Sequence, residues 1–155
     1  MANIDSTFYY RLSTLFRGSG MDLDIVNGGS QNNMAHLAAR GGYTGQFWSI
    51  QPSGVAGYYR LSTMFRGANM CLDVFNGGSD NNRVHLALKG GYTGQFWKIT
   101  GAGYGSYVKL TTMFRGDGLA LDISNGGSMN NFAQLVPKAS YSGQYWLLEK
   151  TTIKV

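Results

Sequence analysis

The chain has 155 residues, 43% of them apolar and only 14% charged, with 23 glycines, two prolines and 14% aromatic residues. That suits one domain, residues 1–155, with a real core built from short strands and many turns rather than helices. Its single cysteine, Cys71, excludes an internal disulfide, no apolar run nears the roughly 20 residues that span a bilayer, and the net charge of +5 is dispersed rather than gathered into a phosphate-tracking patch. Neither membrane insertion nor a nucleic-acid partner is expected. The N-terminus shows no charged segment followed by an apolar one, which predicts a cytoplasmic or non-classically secreted protein.

In chain order, "YYRLSTLF" (9–16) alternates polar and apolar residues and predicts a strand with Leu12, Thr14 and Phe16 on one face. "Phe16-Arg17-Gly18" follows as a hairpin corner. "GMDLDIV" (20–26) predicts a second strand, with Met21, Leu23 and Ile25 facing one way and Asp22, Asp24 and Val26 the other. After the loop "NGGSQNN", "MAHLAA" (34–39) predicts a third, with His36 and Ala38 opposite Ala35 and Leu37. "GQFWSI" (45–50) predicts the fourth. The Asn-Gly and Gly-Gly pairs between strands supply the positive φ that tight turns need.

The whole pattern then recurs. Trp48, Trp97 and Trp146 are spaced by 49 residues each time, and the same offset aligns 9–48, 58–97 and 107–146 without a gap. Of those 40 columns, 19 hold one residue in all three copies, among them Asp24/Asp73/Asp122, Gln46/Gln95/Gln144 and the Asn-Gly-Gly-Ser runs. Three repeats, about 8–50, 57–99 and 106–148, with four strands each, predict an all-β protein. Three four-stranded units sharing one core about a pseudo-threefold axis make a β-trefoil, which leaves no open sheet edge.

"LDI…NGGS…QFW", "LDV…NGGS…QFW" and "LDI…NGGS…QYW" resemble the ricin-type β-trefoil lectins with their Gln-x-Trp signature. The resemblance covers nearly the whole chain, three times over. It implies a carbohydrate-binding protein with up to three sugar sites, acting by multivalent glycan recognition, with galactose or N-acetylgalactosamine the sugar type implied. In the family the aspartate matching Asp24, Asp73 and Asp122 anchors the sugar, in keeping with a carboxylate's capacity to accept hydroxyl protons in strong, charge-assisted bonds. Gln46, Gln95 and Gln144 are expected to support it from behind. His36, His85 and Gln134 share one column on the aspartate face, near the family's polar sugar contact.

Two departures stand out. Ala38, Ala87 and Val136 fall where the family carries a stacking aromatic, and Gly45, Gly94 and Gly143 where an Asn precedes the signature Gln. Tyr43, Tyr92 and Tyr141 are therefore nominated as platforms, and Asn33, Asn82 and Asn131 as suppliers of the amide. Asn32, Asn81 and Asn130 are assigned to the turn, and the three tryptophans to the core. Repeat three, with Gln134 and "PKAS", is expected to be weaker or altered.

Glycoside cleavage normally uses two carboxylates several ångströms apart. Only one acidic column recurs here, so no enzyme, no catalytic residue, no metal site and no cofactor is expected. The alternative is a β-trefoil protease inhibitor or protein-binding module acting through its loops. The lectin reading makes glycans the partner, bound by a monomer or homodimer.

Overall fold

The computed structural model describes residues 3–155. Twelve strands follow in order: β1 (Phe8–Thr14), β2 (Met21–Ile25), β3 (Ala35–Ala39), β4 (Trp48–Pro52), β5 (Tyr59–Thr63), β6 (Met70–Val74), β7 (Val84–Leu88), β8 (Trp97–Gly101), β9 (Val108–Thr112), β10 (Leu119–Ile123), β11 (Ala133–Pro137) and β12 (Trp146–Lys154). The outer two of each repeat build a closed six-stranded barrel in the order β1-β12-β9-β8-β5-β4, and the inner two form the hairpins β2-β3, β6-β7 and β10-β11. This is the β-trefoil that the repeat predicts. Both prolines, Pro52 and Pro137, stand at strand ends, where a missing N–H is tolerated.

The alternation does set the faces. Leu12, Leu23, Ile25, Leu37 and Ile50 are buried, with their counterparts in the other repeats, except that Leu148, the third copy of Ile50, is only partly buried. Trp48, Trp97 and Trp146 are fully buried, and each indole N–H donates to the carbonyl of Leu23, Leu72 or Leu121 at 2.9–3.0 Å. A buried Trp brings a large apolar area and one donor, and here the donor is satisfied.

Three features differ from the sequence reading. The first strand ends at Thr14, so Phe16 lies in the following turn rather than on a strand face. The segment before each buried Trp is a single 3-10 turn (Thr44–Gln46, Thr93–Gln95, Ser142–Gln144), and the fourth strand begins only at the Trp. The left-handed non-glycine residue of each long loop is Asn33, Asn82 or Asn131, at φ of 69–71°, and not the Asn before it, which the sequence assigned to the turn. Asn is the residue that adopts this backbone most readily after Gly. The kink turns its carbonyl toward the next hairpin: Leu86 N–H donates to Asn33, Leu135 to Asn82 and Leu37 to Asn131, each at 2.8 Å. These bonds tie the three hairpins into a ring.

Candidate functional site

Three clefts of about 220, 220 and 260 Å³ repeat around the molecule. The first is lined by Asp24, Ile25, Asn27, Tyr43, Thr44 and Gly45 of one repeat and by Phe65 of the next. The second takes Asp73, Asn76, Tyr92 and Phe114 in the same roles. The third takes Asp122, Asn125 and Tyr141, and its phenylalanine is Phe16, from the far end of the chain. Each cleft therefore sits at a junction between repeats.

The aspartate of each cleft is held by its own repeat. Asp24 Oδ1 accepts from the N–H of Ile25 at 2.7 Å, and Oδ2 accepts from Gln46 Nε2 at 3.1 Å. Asp73 and Asp122 repeat both contacts. A carboxylate offers about four lone-pair sites, so two protein donors leave acceptor capacity for a ligand in the cleft. Gln46 is fully buried and uses its whole amide: Nε2 also donates to the Ala39 carbonyl, and Oε1 accepts from Gly41 N–H and Arg11. Gln95 and Gln144 copy this, with Arg60 and Lys109 in the place of Arg11. A buried amide with every partner satisfied is rigid, and it fixes the carboxylate plane.

Gly45 explains one departure from the family pattern. A Cβ on Gly45 would collide with Asp24 Oδ1, and the same holds for Gly94 with Asp73 and Gly143 with Asp122. The carboxylate packs so closely on the 3-10 turn that only glycine fits there.

Tyr43, Tyr92 and Tyr141 are each 64% exposed. Such exposure sets aside core packing and leaves a ring face available. The first two rings lie so close to Gly41 and Gly90 that an added Cβ would come within 2.6 Å of them, whereas repeat three has Ala139 in that column. Together with the deeper burial of Asp122, this makes the third cleft different in shape from the others.

Other nominated residues lie elsewhere. Asn33 does not line the cleft. Its Oδ1 accepts from Arg66 Nε at 2.9 Å, and Asn131 Oδ1 accepts from Arg17 Nε at 3.0 Å. Among the described residues, neither buried Asn82 Oδ1 nor Arg115 Nε, the counterparts of Asn33 Oδ1 and Arg66 Nε one repeat further on, has a hydrogen-bond partner. The amide at the cleft is instead that of Asn27, Asn76 or Asn125. Asn32 shapes the turn by accepting from Gly28 N–H at 2.7 Å. His36, His85 and Gln134 pair across the hairpin with Asp24, Asp73 and Asp122 but flank the clefts rather than line them. His36 packs on Phe132, His85 stacks on Phe75 at 3.7 Å, and burial pushes both imidazoles below their ordinary pKa against the pull of Asp24 and Asp73.

The sequence reading missed the phenylalanine wall. Phe16, Phe65 and Phe114 each carry the neighbouring Arg17, Arg66 or Arg115 guanidinium over the ring at 4.1–4.2 Å. Arg66 also reaches Asn32 and Asn27, so one cation ties the wall to the loop facing it. The available signal was an invariant large aromatic in a turn, where burial alone does not call for one. Among the described residues, no three side chains of His, Cys, Asp or Glu gather as a metal site would need.

Residues 45–137, well over half of the chain, match the family described as ricin-type β-trefoil lectin domain-like. No curated protein matches the chain. Among solved structures, a designed three-fold symmetric protein, ThreeFoil, shares 27% identity over 92% of this chain and 99% of its own, with a TM-score of 0.74. A ricin B-like lectin of Macrolepiota procera in complex with lactose shares the fold at 16% identity, covering 97% and 100%, TM-score 0.73. A mosquitocidal holotoxin does so at 18% identity and TM-score 0.80 over 97% of this chain, which spans only 18% of the toxin's length.

Proposed function

The chain belongs to the ricin-type β-trefoil lectin-like family, and on that premise we propose that it binds glycans at three similar sites, one per cleft. The observation that carries this reading is the threefold recurrence of one constellation: a carboxylate with spare acceptor sites, an amide, an exposed tyrosine and a phenylalanine wall. Neutral sugars present hydroxyls and apolar C–H faces, and this set meets both. The carboxylate and the amides of Asn27, Asn76 and Asn125 take the hydroxyls. Tyr43 and Phe65, with their counterparts, take the C–H face.

Galactose- or N-acetylgalactosamine-type sugars are the preferred ligands, supported by the lectin of the same fold in complex with lactose, a galactoside. Each cleft is lined by one carboxylate, whereas glycoside cleavage normally uses two, so the clefts bind and do not cut. Three modest sites on one body gain strength on multi-branched or surface-displayed glycans by effective concentration.

A glycan array tests this, with the triple variant Tyr43→Ala, Tyr92→Ala, Tyr141→Ala as the control. These rings are mostly solvent-exposed, so the variant keeps its fold. Binding to galactosides by the wild type is expected, with each site weakened at least tenfold in the variant, about 1.4 kcal/mol. Equal binding by the variant, or no glycan bound by the wild type, overturns the assignment and favours a protein partner.

A further inference from the structure

Behind the first cleft lies a charge cluster that the repeat does not preserve. Asp22, fully buried, accepts from Arg11 at 2.8 Å and from both Nε and Nη2 of Arg40 at 2.9 and 3.0 Å. A carboxylate buried between two guanidinium groups is compensated by charge-assisted bonds. Moving on by 49 residues, Arg60 takes the place of Arg11 and Lys89 that of Arg40, but Asp22 becomes Cys71. Two cations are kept and their carboxylate is replaced by a thiol.

The geometry of the second repeat reflects this. A cavity of about 170 Å³ opens there, lined by Arg60, Lys89, Cys71, Ser62 and Gln51 among others. That is several times the ~30 Å³ a water occupies in the liquid. Arg60 is already positioned, because it donates to Gln95 Oε1 and to the Gly90 carbonyl, both at 2.7 Å. A guanidinium has five N–H donors, so those two bonds leave others for the cavity. Among the described residues, neither Arg60 nor Lys89 lies in ion-pair contact with a carboxylate. Asp73, two residues further along β6, lines the second sugar cleft and not this cavity. Arg60, Lys89 and Cys71 all line this one cavity, so the two cations border a common space.

We propose that this cavity is a site for a small oxyanion, a carboxylate, sulfate or phosphate group, which takes the position that the Asp22 carboxylate holds in the first repeat. The site is separate from the sugar clefts and does not depend on their reading. The protein supplies its own anion in one repeat and recruits one in the next.

The test is a titration of ¹⁵N-labelled protein with sodium sulfate, phosphate or acetate, each exchanged for chloride at constant ionic strength. The Arg60 Nε–H and Lys89 amide signals are read together with the thermal midpoint. A saturable shift is expected with at least one anion, and the anion that binds tightest names the group. Lys89→Gln, at an exposed position, should weaken it at least tenfold. Cys71→Asp should abolish it, because the new carboxylate occupies the site, and should leave the thermal midpoint at or above that of the wild type. Shifts that stay linear in anion concentration, or that persist unchanged in Lys89→Gln, overturn the proposal even where Cys71→Asp does not fold.

Discussion

Replacing Gly45 with alanine tests whether the pinned carboxylate is what makes the first cleft a binding site. The new Cβ would overlap Asp24 Oδ1, and it would also approach Ile25 N at 3.4 Å and Asp24 Cγ at 3.5 Å. Carbon and oxygen reach ordinary contact near 3.5 Å, so the carboxylate must retreat by roughly 1 Å. Its 2.7 Å bond to the Ile25 amide cannot survive that movement. A hydrogen bond to a charged group is worth about 1.5–3 kcal/mol, and each kcal/mol shifts the midpoint of a chain this size by about 2–4 °C. The expected fall in Tm is therefore roughly 3–12 °C, accompanied by loss of one site in the stoichiometry measured by titration calorimetry. Gly42→Ala is the control. It lies in the same loop, keeps a negative φ, and its Cβ meets nothing within 4 Å, so it should leave both quantities unchanged. If Gly45→Ala keeps full stoichiometry and a Tm within 1 °C of the wild type, the close approach of Asp24 to the turn is not what holds the site.

Other outcomes follow from the same geometry. Burial lowers the pKa of His36 and His85 from 6.5, so the unfolded chain takes up protons first, and stability should fall as the pH drops below about 6.5. Denaturant melts at pH 7.5 and 5.5 should show that fall shrinking in His36→Gln, His85→Gln, which copies the natural Gln134. Arg66→Ala should cost about 1 kcal/mol more than Arg115→Ala in urea unfolding, because Arg66 makes a bond to Asn33 that Arg115 lacks with Asn82. Phe16→Ala should weaken glycan binding at the Asp122 cleft, more than 100 residues away in sequence, and leave the Asp24 cleft unchanged. Ligand-induced shifts of the Ile123 and Ile25 amides report the two clefts separately.

The fold was legible because period-two alternation and a 49-residue offset both act along the chain, and Leu23, Asp24, Gln46 and Trp48 kept the faces and neighbours that those two signals imply. The carboxylate and its glutamine came together as expected, since they belong to one repeat. Phe65 was not legible as a partner of Asp24, because alternation says nothing about which repeat closes against which. That the left-handed bend falls at Asn33 rather than Asn32 was not legible for a different reason. Adjacent residues of one type share every propensity, and only the hydrogen bond from Leu86 to the Asn33 carbonyl decides which of them bends. The role of Asp22 was not legible, because its column changes to Cys71 and Ala120 in the other repeats. Buried charge depends on partners, and Arg11 and Arg40 supply them for Asp22 only in three dimensions.

The placement of the clefts at junctions has a consequence for how such a protein acquires its sites. A single repeat holds the carboxylate, the amide and the tyrosine but lacks the wall, so it carries no complete cleft. The third cleft needs Phe16 beside Asp122, and Arg17 bridging to Asn130 and Asn131. Both require the first and last repeats to meet, which they do through the long pairing of β1 with β12. Ring closure and completion of the sites are therefore one event. Whatever loosens the β1–β12 seam should weaken the Asp122 cleft before the Asp24 and Asp73 clefts, whose walls come from repeats contiguous in the chain. The variation among repeats fits this order: the third cleft is the largest, and it alone has Ala139 and Lys109 in its supporting columns. Threefold repetition multiplies one site, and closing the ring makes the copy at the seam the one most open to change.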